Sequence, residues 1–245
     1  MAYHTQMHEP LLPPAEGLDA EGAVPEAVRH PPWLMWAGGA VALAVSILAL
    51  VGATIDRGHQ FAFDQAILLA MRDGATPIGP PWLERAMIDV TALGGVTVLV
   101  LVVTIAVGLL LTARLWLTAA LVLAATIGGS LAVDLAKALV GRARPAVIDH
   151  LVQVHSASFP SGHSANSAIV YLTLATLITQ IIDRPALRWY VIVVTVLLVT
   201  AIGCSRVYLG VHWPSDVLAG WSFGTLWALA WWAIGARIRL ARAGE

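Results

Sequence analysis

Six apolar stretches dominate this chain, each approaching or exceeding the roughly 20 residues that an α-helix needs to cross the hydrocarbon core of a bilayer. They fall near Trp33 to Ile55, Leu93 to Ala113, Leu115 to Val140, Ser161 to Ile182, Trp189 to Ser205 and Val217 to Ala236. Only 12% of the 245 residues are charged and 58% are hydrophobic, against roughly a quarter charged in a soluble domain. The pattern predicts an all-α polytopic membrane protein, a six-transmembrane-helix bundle with both termini on one side. The first stretch is too long for a signal-peptide core and follows an acidic, proline-rich leader, so it is expected to remain in the mature protein.

Residues 1–32 carry Pro10, Pro13, Pro14, Pro25, Pro31 and Pro32 with Glu9, Glu16, Asp19, Glu21 and Glu26, a composition that predicts a disordered cytoplasmic tail ahead of one membrane domain, 33–240. Between the first two spans, Phe63, Ile67 and Met71 recur at helical spacing, as do Trp82, Ala86 and Val90. Two short amphipathic helices are expected there, lying in the membrane surface or packed on the bundle. Trp33, Trp36, Trp116, Trp189 and Trp213 fall near span ends, where amphipathic rings act as interfacial anchors. Gly128, Gly129 and Ser130, and Ser164, Ser167 and Ala168, are small enough for close helix approach. The lone Cys204 excludes an internal disulfide and reads as a small packing residue. A net charge of -1 gives no sign of a nucleic-acid partner.

Lysine and arginine near the span ends set orientation. One face collects Arg29, Arg114, Arg184, Arg188, Arg237, Arg239 and Arg242; the other collects Arg57, Arg72, Arg85, Lys137, Arg142, Arg144 and Arg206. Lys137, Arg144 and Arg206 belong to polar clusters with their own reason for charge, and Arg72 sits inside a long loop. Setting these aside makes the first face the more basic, hence cytoplasmic.

Three polar clusters interrupt the apolar background, and a six-span count puts all three on the same, extracytoplasmic side. In the first, Lys137 and Arg144 offer a mobile point charge and a planar fork of donors suited to phosphate oxygens. Gly141 and Pro145 suggest that the helix ends between them. Arg142 reads as a snorkelling side chain, and Asp134 as an ion-pair partner of Lys137. In the second, Pro160, Ser161, Gly162 and His163 form a turn into a helix, with Ser161 as the cap. Backbone N–H groups of Ser161, Gly162 and His163 at a helix start make an anion site, and an imidazole at its rim can pass a proton. In the third, Arg206 closes one span, and His212 and Asp216 stand four apart across Pro214 at the start of the next. The carboxylate can accept from one ring nitrogen and aim the other outward. His150, His155 and His163 lack a carboxylate or cysteine at ligand spacing, so no metal is assigned; His150 and His155 are placed near the mouth of the site.

The segments KALVGRARP (Lys137 to Pro145), SFPSGHS (Ser158 to Ser164) and SRVYLGVHWPSD (Ser205 to Asp216) together resemble the three signature motifs of the type 2 phosphatidic acid phosphatase superfamily. Six residues separate Lys137 from Arg144, five separate Arg206 from His212 and three separate His212 from Asp216, with no departure at a motif position. The resemblance implies a membrane lipid phosphatase with no metal or other cofactor. By it, His212 is the nucleophile that forms a phosphohistidine, Asp216 orients it, and His163 protonates the leaving oxygen. Lys137, Arg144, Ser161, Gly162 and Arg206 hold the phosphoryl oxygens. The expected partners are a lipid phosphate or diphosphate and the bilayer. A phosphotransferase would use the same residues. A lipid transporter or scramblase would instead spread charges at mid-depth along several spans, which this sequence does not do.

Overall fold

The computed structural model describes residues 61–243 together with Gly39; the tail 1–32 and, apart from Gly39, the first predicted span lie outside them. The described elements are α1 (Ala62–Ala70), an antiparallel hairpin of β1 (Arg72–Asp73) and β2 (Thr76–Pro77), then α2 (Pro81–Ala92), α3 (Val96–Thr112), α4 (Trp116–Val140), α5 (Gly162–Ile181), α6 (Pro185–Tyr208) and α7 (Pro214–Ala243). In the hairpin Arg72 lies opposite Pro77 and Asp73 opposite Thr76. Proline opens α2, α6 and α7, where its missing N–H costs nothing and its fixed φ suits the first turn. Gly141 ends α4 in the left-handed conformation at φ 61°, a backbone state that only glycine adopts without strain.

Among the described residues, α4, α6 and α7 as far as Arg239 are long and apolar enough to cross a membrane; α2 and α3 together make a fourth candidate, bent by 47°. Helix α5 spans 20 residues but carries Ser164, Asn166, Ser167, Thr173, Thr176 and Thr179. Its polar side chains are tolerable because the helix is central, packed against α3, α4, α6 and α7.

Small residues set how closely the helices approach. A Cβ on Gly224 would stand 2.5 Å from Ala168 Cβ and 2.7 Å from the Ala165 carbonyl, and one on Gly220 would stand 2.8 Å from the Ser161 carbonyl. These contacts press α7 onto the first turns of α5, which sets the Asp216 backbone against Ser161 and brings His212 within electrostatic reach of His163. Gly129 of α4 receives Ile169 and Trp227 in the same way. The outward faces carry exposed Val96, Val100, Leu109, Leu131, Leu135, Leu139 and Leu197, a belt of apolar surface suited to lipid rather than water.

Both amphipathic segments are helical, as their spacing predicts. Phe63 and Ile67 of α1 and Trp82 of α2 point outward, whereas Met71 turns inward against Val207 and Trp213. The buried side of α1 carries Asp64 and Leu68. Two single-residue expectations are corrected. Cys204 is exposed on α6 rather than packed. Trp213, unlike the exposed Trp116 and Trp189, is no interfacial anchor: it is buried, and its Nε1 donates to the Ala143 carbonyl at 3.0 Å. Its neighbour Arg142 stacks over the ring at 5.6 Å, and that contact draws the indole inward.

Candidate active site

The loop from Gly141 to Ser161 folds back on its own start. Ser158 N donates to Arg142 O at 2.9 Å, and Ser161 N donates to Asp216 O at 3.1 Å, which fastens the loop to the first turn of α7. The cations stand along this loop. Lys137 Nζ donates to Ala157 O at 2.8 Å, and Arg144 Nε donates to Ser156 O at 2.8 Å. Lys137 thus satisfies its ammonium on a loop carbonyl rather than on Asp134. Asp134 is exposed on α4 one turn back and acts on the ammonium only through the field.

Ser161 caps α5 as expected, accepting from Ser164 N, and the Lys137 side chain passes over Gly162, where a Cβ would sit 3.4 Å from Lys137 Cε. His163 lies on the first turn beside the α2–α3 corner: a Cβ on Gly95 would be 3.9 Å from its Nε2. Arg206, His212, Lys137 and Arg144 are all within electrostatic reach of its ring. The three sequence clusters therefore converge on one place.

His212 sits between a cation and a carboxylate. Arg144 Nη1 lies 3.2 Å from His212 Nε2, and since a guanidinium only donates, Nε2 must offer its lone pair. The ring proton is then on Nδ1, facing Asp216 Oδ2 at 3.5 Å. That contact is longer than the direct hydrogen bond anticipated from the i, i+4 spacing, and the reason is crowding at Oδ2. The same oxygen accepts from Ser158 Oγ at 2.5 Å and from Trp213 N at 3.0 Å, and Ser158 Oγ is itself 3.4 Å from Nδ1. Burial pushes the His212 pKa down to about 4, with Asp216 opposing and Arg144 and Arg206 adding to the fall, so the ring is neutral near pH 7. Arg144 is also lowered by burial, against the pull of Asp216.

Arg206 is buried; its Nη1 donates to Thr91 Oγ1 at 2.9 Å and its Nε has no partner. A donor so placed is costly unless an anion completes it. Among the residues that sequence reasoning assigned elsewhere or passed over, Arg142 is 4% exposed rather than snorkelling, bridging Asp64 Oδ2 at 2.9 Å and Asp216 Oδ1 at 2.7 Å. Asp64 and Thr91 carry no signal in sequence, and Ser158 stands there only as the first residue of its motif, without a role; no spacing within their own segments ties them to His212 or Arg206. His150 Nε2 lies 2.7 Å from Pro145 O, while His155 is exposed. A cavity of 360 Å³ is lined by residues 150–155 and includes none of the eight candidate residues.

An oriented neutral imidazole beside arginines and a lysine, with a second imidazole at a capped helix start, is the apparatus of phosphoryl transfer carried on apolar helices. The comparisons agree. A sequence model of the PAP2 superfamily matches residues 114–239. The phosphatidylglycerophosphatase B of Bacillus subtilis is 35% identical over 190 residues, covering 76% of this chain and 89% of that one. A lipid A 1-phosphatase of Rhizobium johnstonii is 36% identical over 141 residues, covering 53% of this chain and 50% of the other. The crystal structure of a transmembrane PAP2-type phosphatidylglycerolphosphate phosphatase from Bacillus subtilis superposes with a TM-score of 0.69 at 31% identity, over 80% of this chain and 96% of that one. The chain belongs to the PAP2 superfamily; it is an integral membrane protein and by class a phosphatase.

Proposed function

We propose that the enzyme hydrolyses the phosphomonoester or diphosphate of a membrane lipid through a phosphohistidine on His212. Nε2 attacks the terminal phosphorus, the bond from it to the lipid oxygen of a monoester, or to the bridging oxygen of a diphosphate, breaks, and His163 gives that oxygen a proton. Water then attacks the phosphohistidine, the N–P bond breaks, His163 takes the proton and inorganic phosphate leaves. Lys137, Arg144 and Arg206, with the N–H groups of Gly162 and His163, hold the phosphoryl oxygens as charge builds on them; the Ser161 N–H expected among these donors is instead taken by the Asp216 carbonyl, and Ser161 serves as the cap of α5. The observation that carries this reading is the Arg144 to His212 Nε2 contact: it fixes the lone pair on the nitrogen that faces the cations.

The topology that goes with it has six spans, the first at Trp33 to Ile55, with cytoplasmic termini and an extracytoplasmic site. The arginine distribution at the span ends supports that orientation. The lipid enters sideways, head group in the site and tails in the bilayer. Phosphatidylglycerophosphate is the first substrate to test, because the relative matched over most of its length is named for it. Phosphatidate, a polyprenyl diphosphate and a phosphorylated glycolipid complete the panel.

The deciding measurement is phosphate release by purified protein from these four lipids in mixed micelles, with and without EDTA. Turnover that survives chelation and disappears in His212→Ala is expected. Normal turnover by that variant sinks the mechanism, and loss with chelator sinks its metal independence.

A further inference from the structure

Resting on the reading of His212 as the nucleophile, we propose that Asp64 is a positioning residue for it. Asp64 acts through Arg142 and Asp216, so that surface helix α1 is part of the catalytic machinery. Asp64 lies outside the segment matched to the family, on a helix whose other side exposes Phe63 and Ile67. It is nonetheless 0% exposed. Its Oδ2 accepts from Arg142 Nη2 at 2.9 Å and from Ser215 Oγ at 2.6 Å, and its Oδ1 accepts from Ser215 N at 2.7 Å. Arg142 in turn donates through Nη1 to Ser215 Oγ and Asp216 Oδ1, both at 2.7 Å.

The chain of contacts runs Asp64, Arg142, Asp216, His212. One guanidinium is shared by two fully buried carboxylates, a planar fork matched to two oxygen acceptors. Asp216 is thereby held through Oδ1 from one side, which leaves Oδ2 to face Ser158 and the imidazole. The sharing also sets a charge balance. Without Asp64, the pull of Arg142 on Asp216 is no longer shared with the Asp64 carboxylate, and Asp216 is drawn toward the guanidinium, away from His212. Without Arg142, two buried carboxylates repel each other at the base of α7. The N-terminal turn of α7 is pinned by the same group, since Asp64 Oδ1 takes the Ser215 N–H that the helix itself cannot satisfy.

A role in positioning and a role in mere packing differ in how the variants combine. In phosphate release from phosphatidylglycerophosphate micelles, Asp64→Asn and Arg142→Gln are each expected to lower kcat by roughly 10- to 100-fold with KM within about twofold, since neither residue touches the phosphate. The double variant restores the wild-type charge at this point and is expected to recover kcat above that of Arg142→Gln alone. Packing defects would multiply instead. Should a single variant fail to fold, Arg142→Lys keeps the charge but loses the fork, and is expected to show the same fall in kcat at constant KM. Wild-type kcat in Asp64→Asn or Arg142→Lys overturns the proposal, as does a double variant worse than both singles. His212→Ala is run beside them: activity there removes the nucleophile reading itself, whereas a dead His212→Ala with an unimpaired Asp64→Asn removes only the part assigned to Asp64.

Discussion

Arg206 donates through Nη1 to the hydroxyl of Thr91 at 2.9 Å while its Nε stays buried without a partner. The threonine, at the end of α2, therefore aims an arginine of α6 to which phosphate binding is assigned in the proposed mechanism. Thr91→Val removes the acceptor and keeps the shape. Its expected effect is a rise of roughly 5- to 10-fold in KM for lipid phosphate and in the inhibition constant of orthovanadate, following the loss of about 1 kcal/mol of hydrogen bonding. Thr91→Ser keeps the oxygen and should stay near wild type. Equal vanadate inhibition of the valine and serine variants would rule the role out.

The buried His212 makes stability depend on pH in a defined window. Its folded pKa is about 4, against roughly 6.5 for an unfolded chain. Between those values the unfolded chain binds a proton that the folded one refuses, so the residue costs stability as pH falls from 6.5 toward 4 and no further below that. The ceiling on this cost is about 3 kcal/mol. Melting temperatures of wild type and His212→Asn in detergent should therefore track each other above pH 7, with wild type losing ground to the variant as the pH is lowered. Parallel curves throughout would mean that the ring is protonated in the folded protein at mild acidity.

The positions of helices α3 to α7, the helix stop at Gly141 and the Ser161 cap are legible in sequence, because each depends on apolar length or on one residue's local backbone preference. The convergence of Lys137, Arg144, His163, Arg206, His212 and Asp216 is legible too, since alternating spans bring separated loops to one side. What was hidden depends on partners far apart in the chain. Arg142 looks like a snorkelling cation until Asp64, 78 positions earlier, supplies its carboxylate. Trp213 looks like an anchor until Arg142 covers its ring. Cys204 illustrates the converse: small size says nothing of which way a residue faces when the outer solvent is lipid.

Close approach of α5 and α7 is what joins the second and third clusters, and Gly224 tests it. A methyl there would meet Ala168 Cβ at 2.5 Å and the Ala165 carbonyl at 2.7 Å, groups that cannot swing aside. Gly224→Ala should cost about 1–3 kcal/mol by overpacking, visible as a lower melting temperature and reduced lipid phosphatase activity. Gly108 on α3 has open space around it, so Gly108→Ala is the matched control. If both variants melt together, the α5–α7 contact is looser than described.

His163 is assigned two jobs, proton donor to the leaving lipid oxygen and base toward water, and a change of leaving group separates them. A lipid alkoxide is a poor leaving group and needs the proton, so His163→Asn should depress lipid turnover by roughly 10²- to 10⁴-fold. The p-nitrophenolate ion leaves without a proton, so phosphorylation of His212 by p-nitrophenyl phosphate should remain fast in the same variant. Hydrolysis of the phosphohistidine still lacks its base. The expected record is a burst of p-nitrophenolate close to one equivalent per enzyme, followed by slow turnover, with acid-labile phosphate retained on the protein. The burst should vanish in the His163→Asn, His212→Ala double variant. A uniform loss on both substrates with no burst would place His163 in phosphate binding instead, as a donor that the attacking step itself requires.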